Sequence, residues 1–534
     1  MIFKSPYPDV EVPPVTVTAH ALRKAEELAD AVALIDGVTG ATTTYAELAA
    51  AIRRAAGGLA ARGFGKGNVI AIYSPNTIGY PIAFHAALEA GGTVTTSNPL
   101  CMPNELAAQL RDSGARFLIT TSHFVDNARA AAEAAPGIEE IFTFDDAPGS
   151  TPFSELLAGP EAEPSPGIDP ERDLAALPYS SGTTGGPKGV MLTHRNLVAN
   201  MVQLNSTSFE GRGVSSDDTL IAVLPFYHIY GLLVIMNWAL SQGASIVILP
   251  RFDLHEFLGA LQNHRVTYAH LVPPILVALA KHPVVDEYDL SALDVIMSGA
   301  APLGEDLARA VQDRLDCVVV QGYGLTETSP VTHHGLDRTK DQYPKGSIGP
   351  SLPSTEVKVV DVGTGEELGA GQRGEVWIRG PQVMAGYLNN PEATARTIDS
   401  DGFLHTGDVG YVDEEGYYYI VDRVKELIKY KGYQVAPAEL EALLLTHPQV
   451  TDVAVVRSAD ADCGEVPKAF VVTSGGITED DVMAFVAERV APHKKVRRVE
   501  FIDKIPKSPS GKILRRFLIE REAERLAEAA GGAP

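Results

Sequence analysis

The chain is short of the features that mark several protein classes. Its 534 residues include three cysteines, Cys101, Cys317 and Cys463, far apart. An odd and scattered set supports neither a disulfide framework nor a zinc site. Fourteen histidines occur without any His-Glu-x-x-His or Cys-x-x-Cys pattern. Long hydrophobic runs are missing, since the longest, 231–240 and 271–280, reach about half a bilayer span. The opening residues, Met1 to Pro6, have no apolar h-region, and the closing Gly-Gly-Ala-Pro carries no lipidation or retention address. No membrane span is expected, and a cytoplasmic location is. Basic residues are in deficit, 44 Lys and Arg against 68 Asp and Glu, for a net charge of −24. A polyanion binder needs clustered cations to displace counterions, so nucleic acid is not an expected partner.

What is present reads as an ordinary globular protein, with 45% hydrophobic and 21% charged residues. At about 150 residues per domain, the length suits several domains, or one large domain and a smaller one. Charge is uneven along the chain. Residues 1–422 carry net −25 and residues 423–534 net +1. Such asymmetry fits two parts that dock or steer against each other.

Helical and strand patterns alternate over 20–150, with an Ala-rich helix at 46–61 and short β-rich runs at 69–74 and 93–96. This rhythm predicts βαβ units and a parallel sheet. The segment 148–170, rich in Pro, Gly and acid, reads as a surface loop. The rhythm resumes at 219–224, 244–249, 268–272 and 318–320. After about 340 the texture becomes short strands between Gly, Asn and Asp turns (357–361, 374–379, 417–422), which predicts a small antiparallel unit. Mixed short elements and a charged last helix, 514–530, follow a boundary near 415–430.

The densest local signal is Tyr179-Ser-Ser-Gly-Thr-Thr-Gly-Gly-Pro-Lys-Gly189. Small residues let backbone N–H groups turn inward as an anion nest, and Ser180, Ser181, Thr183, Thr184 and Lys188 add donors and charge. The loop suits a polyphosphate. It is not a Walker A loop, because Gly189 follows the lysine where Ser or Thr is required. Further blocks stand downstream. Gln321-Gly-Tyr-Gly-Leu-Thr-Glu-Thr328 offers glycines for close approach to a flat base, with Thr326 and Glu327 as hydroxyl and metal carboxylate. Thr406-Gly407-Asp408 offers a carboxylate for a ribose diol, Asp422-Arg423 stands at the boundary, and Ser508-Pro-Ser-Gly-Lys512 puts a lysine after a tight turn.

In this order and spacing, the blocks resemble the adenylate-forming superfamily of acyl-CoA synthetases, peptide-synthetase adenylation domains and beetle luciferases, over about residues 20–520. The stretches 225–230, 297–303, 322–331 and 425–440 are most similar to 4-coumarate–CoA ligases and their bacterial acyl-CoA ligase relatives. The resemblance implies an α/β fold with a large N-terminal domain (1–422), made of two flavodoxin-like halves and a small β-barrel. A smaller mobile α+β C-terminal domain (423–534) would follow. It implies an ATP-dependent ligase that activates a carboxylic acid as acyl-AMP and transfers it to coenzyme A, with Mg²⁺ as the metal. Ser180, Ser181, Gly182, Thr183, Thr184 and Lys188 would cradle the phosphates, Thr326 would touch them, and Glu327 would hold Mg²⁺. Asp408 and Arg423 would hold the ribose, and Gln321, Gly322 and Ala300 would line the adenine. Lys512 would catalyse adenylation. Lys425 would be the hinge, with Lys429, Lys431 and Gly432 brought in for the thioester step and Arg251 meeting the phosphates of coenzyme A. His228 would gate an acyl pocket lined by Tyr230, Val234, Ala300, Gly322, Gly324, Pro330 and Val331.

Departures from the plant coumarate-ligase pattern at Ala300, Gly231 and Thr332-His333-His334 leave the acid open among hydroxycinnamates, benzoates and medium-chain fatty acids. An acceptor other than coenzyme A, a carrier protein or oxygen, is the alternative. No carrier domain is expected in the chain, which runs only about 20 residues past Lys512.

Overall fold

The computed structural model describes residues 1–162, 167–180, 187–208, 212–335, 344, 346–431, 433–460, 462–508 and 511–531. Its first half is built on two eight-stranded sheets. One runs in the order Gly386–Tyr387, Lys188–Thr193, Leu174–Ser180, Thr93–Ser97, Val69–Tyr73, Ala115–Thr120, Glu140–Thr143, Thr151–Pro152. The other runs Val331–His334, Val318–Gly324, Val295–Ser298, Tyr268–Leu271, Thr219–Ala222, Ser245–Ile248, Val32–Asp36, Thr42–Thr44. The central strands of both are parallel and covered by helices on their faces, which is why they read as unbroken apolar runs such as Val69-Ile-Ala-Ile-Tyr73. One hydrophobic cluster joins the two sheets.

Local chemistry sets the elements. The helix Tyr45–Ala61 starts at a capping box, in which Thr44 Oγ1 accepts from the Glu47 amide and Glu47 accepts from the Thr44 amide. Leu48, Ile52, Ala55 and Leu59 form its buried stripe. The expected loop at 148–170 is partly ordered, with a two-residue strand Thr151–Pro152 and a helical turn Ser154–Leu157. The reason is packing: Leu156 is fully buried, and a Cβ on Gly58 would lie 2.4 Å from its carbonyl oxygen. Among the described residues, no helix is long and apolar enough to cross a membrane.

The texture change after 340 corresponds to a five-stranded antiparallel sheet in the order Phe3–Lys4, Glu356–Val360, Gly374–Arg379, Leu404–Val412, Tyr418–Arg423. It is an open half-barrel, with the first and last of these strands as edges. A fourth sheet follows Arg423, in the order Tyr433–Val435, Ile428–Tyr430, Gly464–Thr473, Val450–Asp460, with Arg498–Phe501 parallel to Gly464–Thr473. It has its own core around Val453, Val455, Val471 and Val482. The helix Arg515–Gly531 lies on this sheet through Leu518.

The small part docks on the large one at several points. The Ala438 amide donates to Asp422 Oδ2 at 2.9 Å, and Lys281 Nζ reaches the Leu445 and Val450 carbonyls at 2.9 and 3.0 Å. Gly511 packs so tightly that a Cβ there would sit 3.1 Å from Val272 Cγ2.

Inside the small part, Lys468 is 1% exposed and lies 2.5 Å from both Glu500 and Glu522. Removing one member strands a buried charge. Lys468→Met is expected to cost about 3–5 kcal/mol, read as the loss in urea-unfolding free energy of the transition that reports on the small part. A change below about 1 kcal/mol would mean the pair is effectively solvated.

Candidate active site

The site forms where the carboxyl ends of the second sheet, the half-barrel and the small part meet. This is the customary ligand position in open α/β sheets. Its centre is Asp408, 4% exposed, on the strand Leu404–Val412. Arg423 Nε lies 3.1 Å from Asp408 Oδ1, and the Tyr323 hydroxyl donates to Oδ2 at 2.6 Å. Antiparallel register sets Asp408 directly opposite Arg423. Thr406 Oγ1 accepts from the Asp408 amide at 3.0 Å and donates to the Val376 carbonyl at 2.7 Å, which fixes the turn. Each carboxylate oxygen keeps a second lone pair for a donor such as a sugar hydroxyl.

Lys512 reaches this pair from the small part. Burial pulls its pKa down to about 8, and the Arg423 charge adds to the effect, while Glu426 and Asp408 push back. The same ammonium bears on His228, whose pKa falls to about 4, chiefly through burial. Burial likewise raises Asp408 above the usual carboxylate range, against the pull of Arg423 and the Tyr323 hydroxyl. The lysine sits on a closed turn: its amide donates to Ser508 Oγ at 3.1 Å and its carbonyl accepts from the Ser508 amide at 2.8 Å. Arg515, which follows it, pairs with Glu426 at 2.5 Å and Glu441 at 2.6 Å.

A second group stands beside the first. Ser180 and Lys188 face each other across the antiparallel strands that flank the glycine-rich loop. Ser181, Gly182, Thr183 and Thr184 lie outside the described residues, as does Gly432. Ser180 Oγ is buried without a hydrogen-bond partner among the described residues, the condition of a donor that serves a ligand. Lys188 Nζ lies 5.0 Å from the centre of the Tyr387 ring, and the Tyr387 hydroxyl donates to Glu327 Oε1 at 2.8 Å. Thr326 opens the single helical turn Thr326–Thr328 that carries Glu327. Among the described residues no three His, Cys, Asp or Glu side chains gather as a metal site. Glu327 alone suits a hard ion that takes most of its ligands from phosphate and water.

The neighbouring wall is backbone. Gln321 Oε1 accepts from the Leu303 amide at 3.0 Å and so braces the 299–303 segment. Ala300 there has φ +67°, a left-handed conformation that costs an L-residue about 1–2 kcal/mol. Tyr230 opens a π-helix, Tyr230–Trp238, a rare form concentrated at functional sites. Its ring supports Gly299, where a Cβ would be 2.9 Å from Cε1, and its hydroxyl donates to the Met297 carbonyl at 3.2 Å. Val234, further along this helix, is buried. A Cβ on Gly322 would lie 3.4 Å from Met297 Sδ. Gly324 is glycine for the chain's sake, since a Cβ would lie 1.9 Å from the Pro330 carbonyl oxygen. Pro330, after a cis bond from Ser329, and Val331 complete that hairpin. Gly231 has the same explanation, since a Cβ would meet the Pro225 carbonyl at 2.2 Å.

Other expected residues stand apart. Lys429 and Lys431 are exposed on the hairpin Ile428–Val435, and Lys425 is exposed at its approach, with Arg457 Nη1 donating to its carbonyl at 2.8 Å. Arg251 is a surface residue, 3.8 Å from Glu256. Tyr387 and Glu426 are partners the sequence reading missed. Tyr387 lies 60 residues from Glu327 and no local motif announces the contact.

The AMP-binding enzyme family model matches residues 22–388, and the AMP-binding enzyme C-terminal domain model matches 439–512. The chain belongs to the AMP-binding enzyme family. It is 44% identical to a 4-coumarate--CoA ligase of Pinus taeda, with 98% of each chain covered. Among solved structures it resembles the anthranilate CoA ligase AuaEII in complex with anthranoyl-AMP, at 26% identity and a TM-score of 0.88, covering 97% of this chain and 99% of that one. It also resembles MatB of Rhodopseudomonas palustris, covering 95% and 99%. The ATP-bound form gives 31% identity and a TM-score of 0.85, and the apo form 32% and 0.76.

Trace labelling with acetic anhydride across a pH series reads the Lys512 ionisation without any assay of activity. Half-ionisation near pH 8 is expected, against 10.5 for an ordinary lysine. A value near 10 would place the ammonium in water.

Proposed function

We propose that this family member is an ATP-dependent acid–thiol ligase of the 4-coumarate–CoA ligase type. A carboxylate attacks the α-phosphorus of ATP, giving acyl-AMP and pyrophosphate. The thiol of coenzyme A then attacks the acyl carbon, giving the thioester and AMP. The observation that carries this reading is Lys512, which the small part brings to the Asp408–Arg423 pair that bridges the two parts. Two anions must meet in the first step, and a fixed cation between them offsets their repulsion.

In this reading the chain works as two parts, 1–422 and 423–534. Asp408 and Arg423 hold the ribose diol, while Gln321, Gly322 and the strained Ala300 segment face the base. Ser180 to Thr184 and Lys188 donate to the β- and γ-phosphates, with Thr326 beside them. Glu327, oriented by Tyr387, would hold Mg²⁺, which would supply charge to screen the phosphates. His228, neutral at physiological pH, turns a ring nitrogen to the acyl carboxylate. Its Nδ1 accepts from the Tyr230 amide at 3.3 Å, which leaves the proton on Nε2. The acyl group lies along Tyr230, Ala300, Gly322, Gly324, Pro330 and Val331. For the second step the small part turns about Lys425, withdraws Lys512 and presents Lys429, Lys431 and Gly432. Arg251 meets coenzyme A from the large part. Free ATP and coenzyme A suit a cytoplasmic enzyme.

The test is AMP release from ATP with coenzyme A, across acids from 4-coumarate to octanoate. Release that needs both acid and coenzyme A is expected, whereas ADP as product would overturn the reading. Lys512→Ala should slow acyl-AMP formation at least about 100-fold yet spare thioester formation from supplied acyl-AMP. Equal losses in the two halves would contradict its role. Because the ammonium is charged only below its pKa of about 8, adenylation by the free enzyme should decline as pH rises through that value. Asp408→Asn should weaken ATP binding about 10- to 100-fold by calorimetry.

A further inference from the structure

The seam between the two parts holds a cation that the roles above leave unused. In the small part the seam is lined by the helix Pro437–Leu445. At its start the Ala438 amide donates to Asp422 Oδ2 of the large part at 2.9 Å. At its finish Lys281 Nζ, also of the large part, donates to the Leu445 carbonyl at 2.9 Å and to the Val450 carbonyl at 3.0 Å. A helix carries partial positive charge at its N-terminus and partial negative charge at its C-terminus, and its last carbonyls have no partner within it. An anion and a cation of the large part thus meet the two ends in the favourable sense. Between them the surfaces touch, since a Cβ on Gly304 would lie 3.3 Å from Ala442 Cβ.

Lys281 is the last residue of its own helix, Pro273–Lys281. The other end of that helix bears on the turn of Lys512, because a Cβ on Gly511 would be 3.1 Å from Val272 Cγ2 and 3.4 Å from Pro274 Cδ. Its nine residues make a rod about 13 Å long. The rod therefore meets the small part at both ends, once beside Lys512 and once at the finish of Pro437–Leu445. Two separated contacts fix orientation as well as distance. The partners of Lys281 are main-chain carbonyls, which sit at fixed points of the small part and cannot swing after the ammonium as a carboxylate side chain can.

We infer that Lys281 is a positioning residue for adenylation: by capping the Pro437–Leu445 helix from the large part, it latches the small part in the arrangement that seats Lys512. The inference rests on the proposed ligase reading, in which the small part leaves this arrangement for the thioester step. Turning about Lys425 carries Leu445 and Val450 away from Lys281, so the two bonds are made for the first half-reaction and broken for the second. Their strength sets the fraction of time that Lys512 is seated.

The test uses Lys281→Met and Lys281→Arg in the full chain. Lys281 lies at the surface, so neither change disturbs a core. Loss of two charge-assisted hydrogen bonds should weaken docking about 100-fold. Lys281→Met should then slow acyl-AMP formation, read by exchange of pyrophosphate into ATP, at least about 10-fold. Thioester formation from supplied acyl-AMP should not fall. Lys281→Arg keeps the charge and the donors and should restore most of the first step. Equal losses in the two halves, or an unslowed first step, would overturn the latch. Trace labelling of Lys512 separates this from the ligase reading, because it needs no substrate. Half-ionisation, near pH 8 in the parent, should move up toward 10.5 in Lys281→Met as the lysine spends more time in water. A value still near 8 would refute the latch, whereas a shifted value in a chain that makes no acyl-AMP from any acid would refute the ligase reading alone.

Discussion

The site depends on holding two cations side by side. Burial chiefly weakens the charge on Lys512, and the neighbouring Arg423 guanidinium adds to the effect. Asp408 and Glu426 make the arrangement tenable. Asp408 comes from the half-barrel, Glu426 from the connection to the small part, and Arg515 pairs with Glu426. The charges alternate in sign through space although they are scattered over 108 residues of sequence. A substrate carrying several negative charges fits such a centre far better than solvent does. In the proposed ligase such a substrate would offset the crowding of the two cations where the charge of the reaction develops.

The second constraint is geometric. The proposed reaction requires a phosphate loop, a base wall and an acyl pocket to converge on one α-phosphate. The fold meets this by ending two parallel sheets at the same place and filling the gap with hairpins. Where the chain must approach itself closely, it spends glycines. Gly324 lies against Pro330 and Gly231 against Pro225, and in both cases a single methyl would collide with a carbonyl. These glycines shape the walls without touching what the walls enclose.

Much of this was legible in the sequence. The strands at Thr219–Ala222, Ser245–Ile248 and Tyr268–Leu271 fall on the apolar runs that announce them, because parallel strands buried on both faces have no polar alternation to blur the signal. The motif blocks drew attention to Asp408, Glu327 and Lys512 because glycines and hydroxyls cluster beside each of them, and to Arg423 because it stands at the texture boundary. Other features had no such signature. Tyr387, Glu426 and Arg515 are ordinary residues in ordinary elements, and only register and docking bring them to the site. The helical turn at Ser154–Leu157 was hidden by its Pro- and Gly-rich surroundings, since the burial that orders it comes from Gly58, almost 100 residues earlier. Ala300 reads as an ordinary small residue, and its left-handed backbone is visible only in three dimensions.

The turn that carries Lys512 is closed upon itself. Ser508 holds both the amide and the carbonyl of the lysine, Gly511 returns to the Ser508 carbonyl at 2.8 Å, and Lys507 pairs with Ile513 across the base. In the proposed ligase these bonds would keep Lys512 tied to Ser508 while the small part turns, so that much of the conformational entropy of placing the lysine is surrendered once, at folding, and each turnover would bear mainly the cost of re-seating one part on the other.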